Sequence, residues 1–289
     1  MTATFTPWNA NTGAQLWKFA TNGLVDVSPA IAHGQVYIGS EDHNLYALDA
    51  EAGSLSYEFN GTAGFSDITL GSEIYATSSL LWAFSQTLEL DWHSVANAYS
   101  SPSVAYDIIC VGGGGQDNGA TISARGLDGQ IVWQYNGNGP PSSTTVLANN
   151  MVFFALGQDL YALDASDGAL RWTYHTGGPV SAPAFAHGVV YAGAGSVLYA
   201  LDARSGGLVW QNTDPSGYAI QSLSIANGLV YYGTDGNGNV SGTVSAVNGR
   251  TGRLLWQYAA DGAVFGSPVV VNGSVYFGTH GGSIYALGF

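Results

Sequence analysis

An all-β fold, a seven-bladed propeller of four-stranded antiparallel blades, is what this sequence predicts, on three observations. An aromatic residue closes a repeat of roughly forty residues seven times, at Trp17, Tyr57, Trp92, Trp133, Trp172, Trp210 and Trp256. Each repeat holds four short runs rich in β-branched and aromatic residues, separated by Gly and Asn. The chain also begins with the strand that its end lacks.

The clearest repeat shows the elements in order. Strand A is Val180-Ser181-Ala182-Pro183-Ala184-Phe185-Ala186, followed by a turn at His187-Gly188. Strand B is Val189-Val190-Tyr191-Ala192-Gly193, strand C is Leu198-Tyr199-Ala200-Leu201-Asp202, and a turn at Ser205-Gly206 leads to strand D, Gly207-Leu208-Val209-Trp210. The A–B turns carry His33-Gly34, His187-Gly188, Asn227-Gly228 and Asn272-Gly273, pairs that tolerate the positive φ of tight hairpins. His33 and His187 are thereby read as turn residues rather than ligands.

Strands A and B recur seven times, and so does strand D, but the first D strand lies near Ala14–Phe19 and the last repeat stops at strand C. Donating the N-terminal strand to the last blade closes a ring and leaves no unpaired edge. One domain, 1–289, follows. Its blades span about 24–61, 62–97, 98–138, 139–178, 179–216 and 217–261, with 262–289 completed by 1–23.

The repeat resembles the quinoprotein-type (PQQ-like) β-propeller family. The likeness rests on Ser28-Pro29-Ala30, Val36-Tyr37-Ile38-Gly39, Leu-Tyr-Ala-Leu-Asp at 45–49, 160–164 and 198–202, and Thr251-Gly252-Arg253-Leu254-Leu255-Trp256. It implies that the closing Trp docks between neighbouring blades. It also implies a kinship with scaffolds of outer-membrane barrel assembly and with bacterial kinase sensor propellers, and hence an extracytoplasmic location. The family's large dehydrogenases hold a quinone beside a vicinal Cys-Cys pair. This chain has one cysteine, Cys110, so no cofactor is expected.

Composition narrows the partners. Charged residues make up only 9% of the chain and the formal charge is −14, which argues against a nucleic-acid or anionic-membrane partner. No apolar stretch approaches the ~20 residues of a membrane span, and no signal peptide is read in these residues. Cys110 permits no internal disulfide, leaves the redox compartment open and reads as a buried structural thiol. The chain is expected to be a monomer.

Residues at the start of strand A ring the mouth of the central channel, and two columns there contain outliers. Ser28, Asp67, Ser101, Ser143, Ala182, Ser222 and Ser267 form one, in which Asp67 stands apart. Asp26, Phe65, Tyr99, Pro141, Val180, Ile220 and Phe265 form the other, in which Asp26 is the one charge. With His43 and His280 from B–C loops, these positions predict a site: Asp26 and Asp67 as an acid–base pair, with Phe65, Tyr99, Phe265, His43 and His280 around a ligand. The same groups suit a cationic amine or a divalent metal. The plain reading is that each Asp accepts hydrogen bonds from loop amides.

Elsewhere, Asp235, Asn237 and Asn239 begin a calcium-type loop that Val240 and Arg250 leave incomplete. The second repeat is the most degenerate, with Thr77 for the strand-B glycine and Leu81-Trp82-Ala83-Phe84 for Leu-Tyr-Ala-Leu. Carrying Asp67 too, it reads as a blade reshaped around a ligand. The function expected is a binding or scaffold propeller for a protein or a small, cationic molecule. The alternative is a cofactor-independent hydrolase, lyase or cyclase using Asp26 and Asp67.

Overall fold

The computed structural model describes residues 3–9, 12, 14–25, 27–96, 100–114, 120–137, 144–236 and 241–288. The architecture is all-β, with no helix among the described residues. By packing, the chain divides into two compact units, Met1–Gly137 and Asn138–Phe289. The division falls between Gly137 and Asn138.

The first unit holds an N-terminal hairpin and three four-stranded blades. Blade 1 consists of Ala30–Ala32, Gln35–Gly39, Asn44–Asp49 and Leu55–Asn60, each strand antiparallel to the next. Blades 2 and 3 repeat this meander over 67–95 and 103–137. The second unit holds three more four-stranded blades, blade 4 over 146–175, blade 5 over 184–213 and blade 6 over 220–259. Blade 7 has three described strands, Val269–Val271, Ser274–Gly278 and Ile284–Gly288.

In the N-terminal hairpin Phe19–Thr21 pairs with Ala3–Phe5, with Ala3 opposite Thr21. Trp17 docks on blade 1 in the way a closing Trp should.

Blades are fixed to one another by one recurrent contact. The indole N–H of Trp17 donates to the Ala50 carbonyl (3.0 Å), that of Trp92 to Leu127 (2.7 Å), that of Trp172 to Ala203 (2.9 Å) and that of Trp210 to Gly249 (2.8 Å). Each acceptor lies in the C–D turn of the following blade. The turn glycine then lies under the indole: a Cβ on Gly53, Gly129, Gly206 or Gly252 would come within 2.4–2.7 Å of the ring, and all four have φ between 68° and 79°. Both facts require glycine and explain the Thr-Gly-x-x-x-Trp rhythm.

Opposite the closing aromatics of blades 1 to 6 the ladder places an alanine of strand C, as in Ala162 opposite Trp172 and Ala200 opposite Trp210. A register shift follows immediately. The small residue leaves room for the ring, and the bulge turns the outer strand toward its neighbour. At the first seam, where the repeat has Tyr57, that ring is exposed and the Tyr37 hydroxyl donates instead to the turn carbonyl of Gln86 (3.1 Å).

Cys110 is fully buried in blade 3, and burial pushes its thiol far above the ordinary range. The native chain is therefore expected to resist a disulfide thiol reagent at pH 8 and to react with one equivalent after denaturation. Rapid labelling of the native chain would show the strand to be open.

Candidate functional site

Of the residues that the sequence groups at one channel mouth, His43, Phe65 and Asp67 belong to the first unit and Phe265 and His280 to the second. Asp26 and Tyr99 lie outside the described residues. Phe65 is in the core of the first unit, 1% exposed, with its ring edge-on to Phe59, Trp82 and Phe84 at 6.0–6.4 Å. A ring so enclosed is a packing residue, which corrects its expected ligand-binding role. Asp67 opens the first strand of blade 2 opposite Thr77, partly buried.

His43 is exposed and holds a φ of 74° in its B–C turn, its N–H donating to the Ser40 carbonyl. Its conformation makes it a turn residue, as His33 and His187 are at φ 51°. In the second unit Phe265 and His280 do meet, edge to face at 5.9 Å, and both are exposed. Among the described residues no three of His, Cys, Asp or Glu are placed to hold a metal ion. Of the calcium-type loop, Asn237 and Asn239 lie outside the described residues, and Asp235 accepts the Ala219 N–H at 3.0 Å.

The column containing Phe65 turns out to be a second seam between blades. A Cβ on Gly39 would lie 2.7 Å from the Cβ of Phe65, and one on Gly193 would lie 2.5 Å from the Ile220 side chain. In each pair the start of one blade's inner strand covers the strand-B glycine of the blade before it. Against Gly233 the covering residue is Val264, fully buried, and not Phe265. Blade 7 thus carries one residue more between its plug and its Ser-Pro than the spacing assumes, so Phe265 is displaced into solvent.

The degenerate blade 2 is filled from within. Trp82 stacks on Phe84 at an interplanar angle of 11° with ring centroids 6.2 Å apart, and both pack with Phe59 and Phe65. The Trp82 N–H donates to Ser78 Oγ, and the Ser66 hydroxyl donates to the Thr77 carbonyl. Its departures from the repeat make an aromatic core, which corrects the reading of a blade shaped around a ligand.

The second unit has two features that the sequence reading missed. One is a buried polar network around Asp214, in the loop after blade 5 and 2% exposed. Its carboxylate accepts from the Tyr232 hydroxyl (2.8 Å), the Gln257 amide (3.0 Å), Ser245 Oγ (3.3 Å) and the Ser216 N–H (2.9 Å), and from the Ser216 hydroxyl as well. Burial and then this carboxylate push the Tyr232 phenol well above its usual range. Every contact is internal, so the network fastens the loop to blade 6.

The other is a pair of grooves on the turn side. One, of about 440 Å³, lies between blades 4 and 5 and is lined by Asn149, Asn150, Met151, Asp164, Arg171 and Arg204 among others. The next, of about 370 Å³, lies between blades 5 and 6 with Ala186, Val189, Tyr191 and Ile225 as its apolar lining and His187 and Arg250 also contributing. Arg171 is engaged with Asp164 at 2.6 Å, and that carboxyl, through the Ser166 and Arg171 hydrogen bonds, is held down at about 2.

These seams and grooves define a class: a propeller of Trp-docked repeats that presents turn-side binding grooves. Residues 1–144 and 117–288 match the family described as outer membrane protein assembly factor BamB. The chain belongs to that family. The BamB of Salmonella typhimurium (strain LT2) is 24% identical over 306 residues, covering 97% of this chain and 76% of that protein. The BamB of Escherichia coli (strain K12) is 24% identical over 314 residues, covering 96% and 78%. Among solved structures, BamB from Moraxella catarrhalis superposes with a TM-score of 0.74 at 15% identity, covering 96% of this chain and 89% of that one. The computationally designed Ika8 protein gives 0.58 at 14% identity, covering 93% and 97%. These likenesses show the fold, a seven-bladed β-propeller.

Proposed function

We propose that this protein is a non-catalytic scaffold that binds other proteins during the assembly of outer-membrane proteins, and that it works outside the cytoplasm. The observation that carries the reading is the family match along nearly the whole chain, to proteins named as outer-membrane assembly factors. The geometry agrees with it. Rigid seams hold the blades, and the grooves open between turns, where a partner's side chains can enter without the blades moving.

Loss of the gene in the native host is expected to lower the abundance of outer-membrane β-barrel proteins, with recovery on re-expression. A photo-crosslinker at exposed turn position Ser205 or Thr251 is expected to capture an envelope protein. Unchanged barrel abundance in the deletion strain would overturn the reading.

A further inference from the structure

The scarce basic residues are unevenly placed. The first unit carries Lys18 and Arg125 against thirteen carboxylates, leaving −11, whereas the second carries four arginines against seven, leaving −3. All four, Arg171, Arg204, Arg250 and Arg253, follow or form C–D turns of blades 4 to 6. Arg204 and Arg250 occupy the same place in consecutive turns, Asp202-Ala203-Arg204-Ser205-Gly206 and Asn248-Gly249-Arg250-Thr251-Gly252. Glu51 takes that place in blade 1 and Ser166 in blade 4.

The two turns are rigid. Asp202 Oδ1 accepts from the Ser205 N–H and hydroxyl at 2.8 and 2.7 Å. Asn248 Oδ1 accepts from the Arg250 and Thr251 N–H groups at 3.1 and 3.0 Å. Trp172 and Trp210 cover the turn glycines. Both arginines are exposed and line the grooves, and among the described residues neither forms an ion pair like that of Arg171 with Asp164. A cation presented on a fixed turn loses little freedom on binding, and a guanidinium recognises carboxylates with paired donors.

From this, and resting on the scaffold reading, we propose that the turn side of the second unit binds an extended acidic peptide segment of a partner protein. Its carboxylates lie on Arg204 and Arg250, and an apolar side chain enters the slot lined by Ala186, Val189, Tyr191 and Ile225. The acidic remainder of the chain does not forbid this, because charges beyond ~8 Å are largely screened at physiological salt. Polar groups of the Asn149-Asn150 turn lie beside Arg204 to meet peptide backbone.

The test is fluorescence polarisation of the full chain with a labelled synthetic peptide of Asp, Glu and Leu, beside its Asn, Gln and Leu counterpart. The acidic peptide is expected to bind at least about tenfold more tightly, a difference of about 1.4 kcal/mol. Arg204→Gln with Arg250→Gln is expected to remove that preference at an unchanged melting temperature, while Lys18→Gln leaves it intact. Absence of acidic-peptide binding, equal binding of the neutral peptide, or unaltered binding by the arginine variant overturns the proposal. If barrel abundance still falls in the deletion strain, that result rejects this docking mode and leaves the scaffold reading standing.

Discussion

Trp172→Ala is expected to lower the stability of the chain by about 3–5 kcal/mol, the usual cost of deleting a buried aromatic side chain. The ring is 8% exposed and packs with Phe153 of its own blade. Its loss also leaves the Ala203 carbonyl without the indole N–H and the glycine of the next turn uncovered. A fall in melting temperature of roughly 10 °C should accompany it. Gly206→Ala attacks the same seam from the other side, forcing a Cβ to 2.7 Å from the indole at a φ of 70°. The two changes should therefore be non-additive, since removing the ring relieves the clash. Additive losses, or a loss under 1 kcal/mol for Trp172→Ala, would mean that the indole is not the seam.

The second large effect is expected at Asp214. Replacing it with alanine leaves the buried Tyr232 hydroxyl and the Ser216 N–H without this acceptor, and the Gln257 amide with only Ser245 and Thr243. Hydrogen bonds to a charged group are worth about 1.5–3 kcal/mol each and are not additive, so a total loss of about 3–4 kcal/mol is expected. Asp214→Asn retains one acceptor oxygen and should lose about half of that. Equilibrium urea unfolding of both variants measures the difference. Equal losses for Ala and Asn would show that charge, rather than acceptor geometry, holds the loop.

The fold was legible because its determinants are local and periodic. Glycine at a turn with positive φ, alanine opposite an indole and tryptophan at a fixed distance each leave a mark in every repeat. The site was less legible, for physical reasons that differ by residue. Phe65 was grouped with ligand-facing residues only because its column was read as the rim of the channel mouth. In space its counterparts are Ile220 and Val264, apolar plugs over glycines. Phe265 entered that column because one additional residue in blade 7 shifted the spacing, and no side-chain pattern betrays such a shift.

Asp214 sits in a loop outside the repeat frame, so nothing periodic pointed to it. The arginines were within reach of the sequence. Arg204 and Arg250 precede Ser-Gly and Thr-Gly at one repeat position, and comparing turns instead of channel positions would have found them.

The seam also bears on how such a chain can gain or lose a blade. The residues that must match are not those within one sheet. They are the Trp of one blade and the turn glycine of the next, as with Trp172 and Gly206. Recombination between repeats keeps every lock fitted to its key only when both crossover points fall at the same place in their repeats. Where that place lies within the repeat does not matter. What is inherited intact is the spacing from indole to glycine, and the visible blade is one of several equivalent ways to cut the same ribbon.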